Sequence, residues 1–146
     1  MNETRRSELG LMTVGELARR TGLSAKAVRE FEARGLIYSA GRSEANYRLF
    51  DETALWCAQV VVNLRALGLT LKEIEELAVV YQDRPEEAAG PRLGVLLERA
   101  QRRVEERLAE LETLRRRIVE YRTRQAAVLG DSQGPEVPAD DQRRPR

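Results

Sequence analysis

The chain contains no histidine, a single cysteine, and only two lysines, Lys26 and Lys72, among its 25 basic residues. Without histidine there is no Ser-His-Asp or Cys-His relay and no His-ligated metal site. Cys57 alone cannot form an intramolecular disulfide, and no Cys-x-x-Cys pair exists, so a reducing compartment is the default. No run approaches the ~18 apolar residues of a membrane span. The opening MNETRRSELG has basic residues but no apolar stretch behind them, so no signal peptide is expected. The glycine patterns GxGxxG and GxxxxGK are also missing. Neither an enzyme nor a metal or organic cofactor is expected. Lys+Arg is 25 and Asp+Glu 24, so net charge by itself points to no class of partner.

What is present is helical punctuation. Thr13 with Glu16 three residues later forms a capping box, opening a helix to about Arg20 whose apolar stripe is Val14, Leu17 and Ala18. Thr21-Gly22-Leu23 reads as a tight turn, and Ser24 caps a second helix over about 25–34, with Ala27, Val28 and Phe31 on its apolar face. Two short capped helices joined by a glycine turn are a helix-turn-helix pattern. Leu36-Ile37-Tyr38 and Tyr47-Arg48-Leu49-Phe50 are β-prone runs flanking a polar loop, which reads as a hairpin or wing. Asp51 caps a third helix over about 52–67, closed by Gly68. Thr70 and Glu73 form a second capping box that starts a fourth helix to about Tyr81. Five of the seven aromatics fall between Phe31 and Trp56, which points to a core around the wing; Trp56 and Tyr81 are read as core, and Cys57 as a small buried hydrophobe.

The remainder differs in composition. Residues 82–92, with two prolines and a glycine, read as a hinge. From 93 to 129 apolar residues recur at alternating steps of three and four: Leu97, Ala100, Val104, Leu111, Leu114, Ile118, Tyr121 and Val128, with Arg107 and Gln125 as interruptions. That is a heptad seam, and an isolated helix cannot bury it, so a partner helix is required. The 12–81 unit is too small to cover a helix of roughly 55 Å, which makes homodimerisation the economical answer. Residues 130–146 are Pro- and charge-rich and are expected to be disordered, as residues 1–11 are expected to be flexible.

The runs Thr13-Val-Gly-Glu-Leu-Ala-Arg-Arg-Thr-Gly-Leu-Ser24, Val28-Arg29-Glu30-Phe31-Glu32, Gly35-Leu36-Ile37, Asn46-Tyr47-Arg48-Leu49-Phe50 and Leu64-Arg65-Ala66-Leu67-Gly68 together resemble the MerR family of bacterial transcription regulators. The resemblance covers about residues 12–81 in order, plus the helix behind them. It implies a mainly α fold: a winged helix-turn-helix DNA-binding domain followed by a long dimerisation helix in an antiparallel coiled coil. It implies a homodimer that binds a near-palindromic promoter operator in double-stranded DNA and distorts it to control transcription initiation with RNA polymerase. A cytoplasmic, nucleoid-associated location and no membrane partner follow from the same resemblance.

Carried over residue by residue, the resemblance places Lys26 and Arg29 on the recognition helix at the major groove, with Thr13, Ser24 and Phe31 in the same motif. It makes Arg42, Asn46, Tyr47 and Arg48 the backbone-gripping wing, and Arg65 and Lys72 phosphate contacts around the start of the fourth helix. Phe31 and Tyr47 are read as aromatic bodies in the core, with the Tyr47 hydroxyl available to phosphate. The family's usual recognition motif is Arg followed by two aromatics; Glu30 stands in place of the first. It either pairs with Arg29 or accepts a hydrogen bond from a cytosine amino group. Residues 11–50 carry seven basic side chains against four acidic ones, Glu16, Glu30, Glu32 and Glu44. The family's metal-sensing branch uses cysteines flanking the dimer helix, and none occurs here.

Two other readings fit the same residues. One is an effector-free repressor or architectural DNA-binding protein. The other is a protein-docking adaptor built on a helix-turn-helix and a coiled coil. The sequence names neither effector nor operator, nor the sense of regulation.

Overall fold

The computed structural model describes residues 2–83 and 89–130. Its elements run α1 (Glu3–Glu8), β1 (Met12–Thr13), α2 (Val14–Thr21), α3 (Ala25–Ala33), β2 (Gly41–Arg42), β3 (Arg48–Phe50), α4 (Glu52–Ala66), α5 (Leu71–Asp83) and α6 (Ala89–Gly130). The caps expected from sequence set the starts of four of these helices. At α2 the Thr13 hydroxyl accepts from the Glu16 amide, and the Glu16 carboxylate accepts from the Thr13 amide at 2.8 Å. Ser24 and Asp51 accept from the Ala27 and Ala54 amides. Thr70 and Glu73 repeat the reciprocal box at α5. Each cap satisfies amides that have no partner inside the helix. Gly22 ends α2 at φ 73°, a left-handed conformation that a Cβ would strain.

Three expectations need correction in this part of the chain. Residues 1–11 are not uniformly loose: Asn2 caps a six-residue helix, and Arg6 reaches Glu16 at 3.0 Å, a contact ten residues away in sequence. The first wing strand is Gly41–Arg42 rather than 36–38. Leu36 and Ile37 are enclosed in the core just past α3, where burial and not pairing uses their side chains. The wing also gains a third strand. β1 pairs with β3, giving the antiparallel order β1-β3-β2, with Met12 opposite Phe50 and Arg42 opposite Arg48.

The chain divides into two units, Met1–Gln101 and Arg102–Arg146. The first holds one apolar core, in which Leu17, Val28, Ile37, Phe50 and Leu69 are fully enclosed, together with Leu96 from the early turns of α6. Burying one such side chain contributes about 1.5–3 kcal/mol. The core is mostly aliphatic. Phe31 and Phe50 belong to it, but Trp56 is 55% exposed and Tyr81 about half exposed, contrary to the sequence reading. Both flank a hollow of about 270 Å³ whose floor includes Val61, Leu64 and Ile74. Cys57 lines the same hollow, and burial, with a smaller contribution from Asp51, pushes its thiol pKa up.

The expected hinge at 82–92 is helical at both of its described ends. α5 continues through Asp83, and α6 begins at Ala89; residues 84–88 lie outside the described part. Pro91 falls in the first turn of α6, where its missing N–H leaves no helical bond unmade. In the second unit every described residue is helical and exposed. Gly130 is the last residue of α6, and the rest of the expected tail, 131–146, lies outside the described residues. No described helix is long and apolar enough to cross a membrane.

Candidate nucleic-acid interface

An open groove of about 700 Å³ lies between the start of α2, the start of α3 and the wing. Its lining contains six residues singled out from sequence: Thr13, Arg29, Arg42, Asn46, Tyr47 and Arg48. They come from β1, α3, β2, β3 and the loop between β2 and β3, so only the folded unit assembles them. Three are arginines, and no acidic residue lines the groove. A concave surface with that charge suits a polyanion.

Local chemistry fixes each of them. Asn46 sits at φ 63°, a left-handed conformation that asparagine tolerates better than most residues. There it closes the wing turn: its amide donates to the Ser43 carbonyl at 2.9 Å, and the Ser43 amide donates to the Tyr47 carbonyl at 2.8 Å. Arg42 donates to the Asn46 backbone and side-chain oxygens at 3.3 and 3.4 Å, so Asn46 orders a cation besides shaping the turn. Tyr47 is 68% exposed and belongs to the rim of the groove, not to the core as expected. Arg48 donates to the Glu32 carboxylate at 2.6 Å. Arg29 is exposed and has no polar partner among the described residues; Lys26, three positions earlier on the same helix, is likewise exposed and unpaired. Unpaired cations at such a surface are free to meet a ligand.

The other expected contacts lie outside this lining. Ser24 is committed to its cap. Phe31 is 5% exposed and supports α3 from within the core, so it cannot reach a ligand from there. Arg65 donates to the Leu69 carbonyl at 3.1 Å, closing the end of α4, and Lys72 is exposed in the first turn of α5. Glu30 does not pair with Arg29. It accepts from Arg34 at 3.1 Å, and Arg34 also donates to Glu75 on α5 at 2.8 Å. The hydrogen bonds to Glu75 and then to Glu30 raise the Arg34 pKa further. The Glu30–Arg34 spacing of four was legible as a helical pair. Gly15 and Ala25 carry no sequence signal for the site, and Val14 reads only as part of the apolar stripe of α2, yet all three line the groove directly after the caps Thr13 and Ser24. Among the described residues no cluster of three His, Cys, Asp or Glu is placed to hold a metal ion.

A second surface lies along α6. Of the seam residues, Ala100 is 4% exposed and packs into the core of its own chain with Leu96, so it is not available to a partner helix. Leu97 is partly exposed, and Val104, Leu111, Leu114, Ile118, Tyr121 and Val128 are exposed. Leu108, which the sequence reading passed over, is exposed four residues after Val104 and three before Leu111, and it continues the stripe where Arg107 interrupted it. Arg107 pairs along the helix with Glu110 at 2.9 Å.

Comparison with known proteins gives two family matches: MerR HTH family regulatory protein over residues 12–78, and MerR, DNA binding over residues 59–121. The HTH-type transcriptional regulator PA4778 of Pseudomonas aeruginosa is 34% identical over 104 residues, covering 71% of this chain and 77% of that protein. Among solved structures, the transcription regulator PbrR691 from Ralstonia metallidurans CH34, in complex with lead(II), aligns with a TM-score of 0.63 at 33% identity, covering 77% of this chain and 85% of that one. HiNmlR, a MerR family regulator lacking the sensor domain and bound to promoter DNA, aligns with a TM-score of 0.50 at 27% identity, covering 82% and 91%.

Proposed function

The chain belongs to the MerR family of DNA-binding transcription regulators, and from that premise we propose that it works as a homodimer that grips a near-palindromic promoter operator and distorts it. The observation that carries this reading is the groove, where Arg29, Arg42 and Arg48 from α3 and the wing face one concave surface with no carboxylate in its lining. In this account Arg29, with Lys26 beside it, reads base edges in the major groove, while Arg42, Tyr47 and Arg48 hold the phosphate backbone. Base contacts then set the sequence, and phosphate contacts set the register. Arg65 and Lys72 add phosphate contacts outside the groove.

The α6 stripe supports the dimer. An exposed run of aliphatic residues at heptad spacing is stable in water only against another such surface. A second copy supplies one, and two copies present two grooves to two half-sites. HiNmlR is a family member bound to promoter DNA, which supports the same class of target here. RNA polymerase is then the partner at the promoter, and the DNA compartment of the cell is the place of action.

Footprinting on the region upstream of the chain's own gene and its neighbours tests this reading. A protected near-palindrome spanning two half-sites is the expected result. Absence of protection at any concentration, together with a flat response of DNA affinity to salt, would favour the protein-docking adaptor.

A further inference from the structure

We propose that Glu32 is a positioning residue for the DNA contact: it holds Arg48 in the groove, and this proposal rests on the DNA-binding reading above. Three observations converge on it. Glu32 lies in the last turn of α3, and its side chain is only 16% exposed, while that of Arg48 is 44% exposed. Their contact, at 2.6 Å, is charge-assisted and joins α3 to strand β3, sixteen residues away. A mostly enclosed carboxylate is costly unless paired, and Arg48 is the side-chain partner Glu32 has among the described residues.

The second observation is the register of the wing. Arg42 stands directly opposite Arg48 across the β2–β3 ladder. Like charges placed directly opposite one another on a ladder repel and are destabilising, so each guanidinium needs a partner of its own. Arg42 is tied back by the two oxygens of Asn46, within its own turn. Arg48 has no such tie inside the wing, and Glu32 supplies it from α3. The third is the donor count. A guanidinium carries five N–H donors, and the structure commits one nitrogen of Arg48 to Glu32. The remaining donors stay at the groove lining, preset for a phosphate, so part of the rotamer entropy of Arg48 is already lost before DNA arrives.

On simple electrostatics, removing a carboxylate next to DNA strengthens binding. If Glu32 positions Arg48, removing its charge weakens binding although the protein becomes more positive. The test uses the full chain and its Glu32→Gln, Arg48→Ala and doubly substituted forms, titrated by fluorescence anisotropy at several KCl concentrations. The duplex is one that the wild-type chain selects from a randomised pool. Glu32→Gln is expected to bind about three- to tenfold more weakly, the scale of one phosphate contact per protomer. Its plot of log affinity against log salt is expected to be shallower by about 1.8 per dimer, two phosphates at 0.9 each. Arg48→Ala is expected to match it, and the double form to be no weaker than either alone. Equal or tighter binding by Glu32→Gln, losses that add, or a lowered melting temperature with an unchanged salt slope would each overturn the proposal. If the wild-type chain selects no duplex, the DNA-binding reading falls first and takes this proposal with it.

Discussion

In the first unit Leu17, Val28, Ile37, Phe50 and Leu69 are enclosed by their own chain; in the second, Val104, Leu108, Leu111, Leu114 and Ile118 stand in solvent. The two regions use similar aliphatic residues, and the difference lies in what surrounds them. The first folds helices and a three-stranded sheet over one another. The second, as far as it is described, is one helix with nothing of its own chain over its apolar stripe. Apolar stripes alone therefore do not separate a core from an interface. The number of elements available to cover them does. The boundary is visible within α6 itself, where Leu96 and Ala100 are enclosed and the stripe from Val104 onward is not.

The largest expected effect breaks the comparison at the second region. Replacing Leu111 and Leu114 together by Asp places like charges at the centre of the proposed dimer face. Sedimentation velocity should report monomer, and operator affinity should fall by about 100-fold or more as two linked half-site contacts become one. The melting of the first unit should survive, because its core is its own. If the double variant remains dimeric, the stripe is not the interface.

At the groove, Arg29→Ala is expected to cost about 1–3 kcal/mol at one base pair of each half-site and little elsewhere. Selection over randomised half-sites measures this directly, and an unchanged preference at every position would remove Arg29 from base reading. Arg42→Ala should be milder and uniform across sequences. It should lower the salt slope by about 1.8 per dimer, since one phosphate contact is lost from each copy.

How much of this was legible in the sequence follows the same division. The caps at Thr13, Ser24, Asp51 and Thr70 were readable because they are local: donor and acceptor lie three residues apart. The groove residues were nameable, but through family resemblance and not through local pattern, since Thr13, Arg29 and Arg48 meet only after folding. What escaped notice is long-range. β1 is two residues long, and its pairing with β3 depends on the fold. Arg6 finds Glu16 and Arg34 finds Glu75 by packing, not by spacing. Leu36 and Ile37 read as a strand because β-prone residues and core residues are the same types. Trp56 and Tyr81 read as core because they are aromatic, although helix-surface positions leave them half exposed. Ala100 fitted the heptad and yet packs inward, because the seam and the core share one face of α6 at its start.

The smallest expected effect concerns Cys57. Burial and the neighbouring Asp51 raise its pKa, so less thiolate is present at neutral pH than for an exposed cysteine. Alkylation by iodoacetamide should be slow near pH 7 and should accelerate only at a higher pH than for a free thiol. Cys57→Ala should leave DNA binding unchanged at a stability cost of about 1 kcal/mol. Fast alkylation at neutral pH, or lost regulation in Cys57→Ala with DNA binding intact, would make the hollow beside Trp56 a sensing site.

On the proposed reading, the first unit supplies the DNA surface and α6 brings two copies of it together. Sedimentation equilibrium of the full chain with a labelled duplex carrying its selected site weighs that complex directly. Two chains per duplex are expected, and one chain per duplex when Leu111 and Leu114 are both Asp. A wild-type complex containing a single chain, or no complex at all, would contradict this reading.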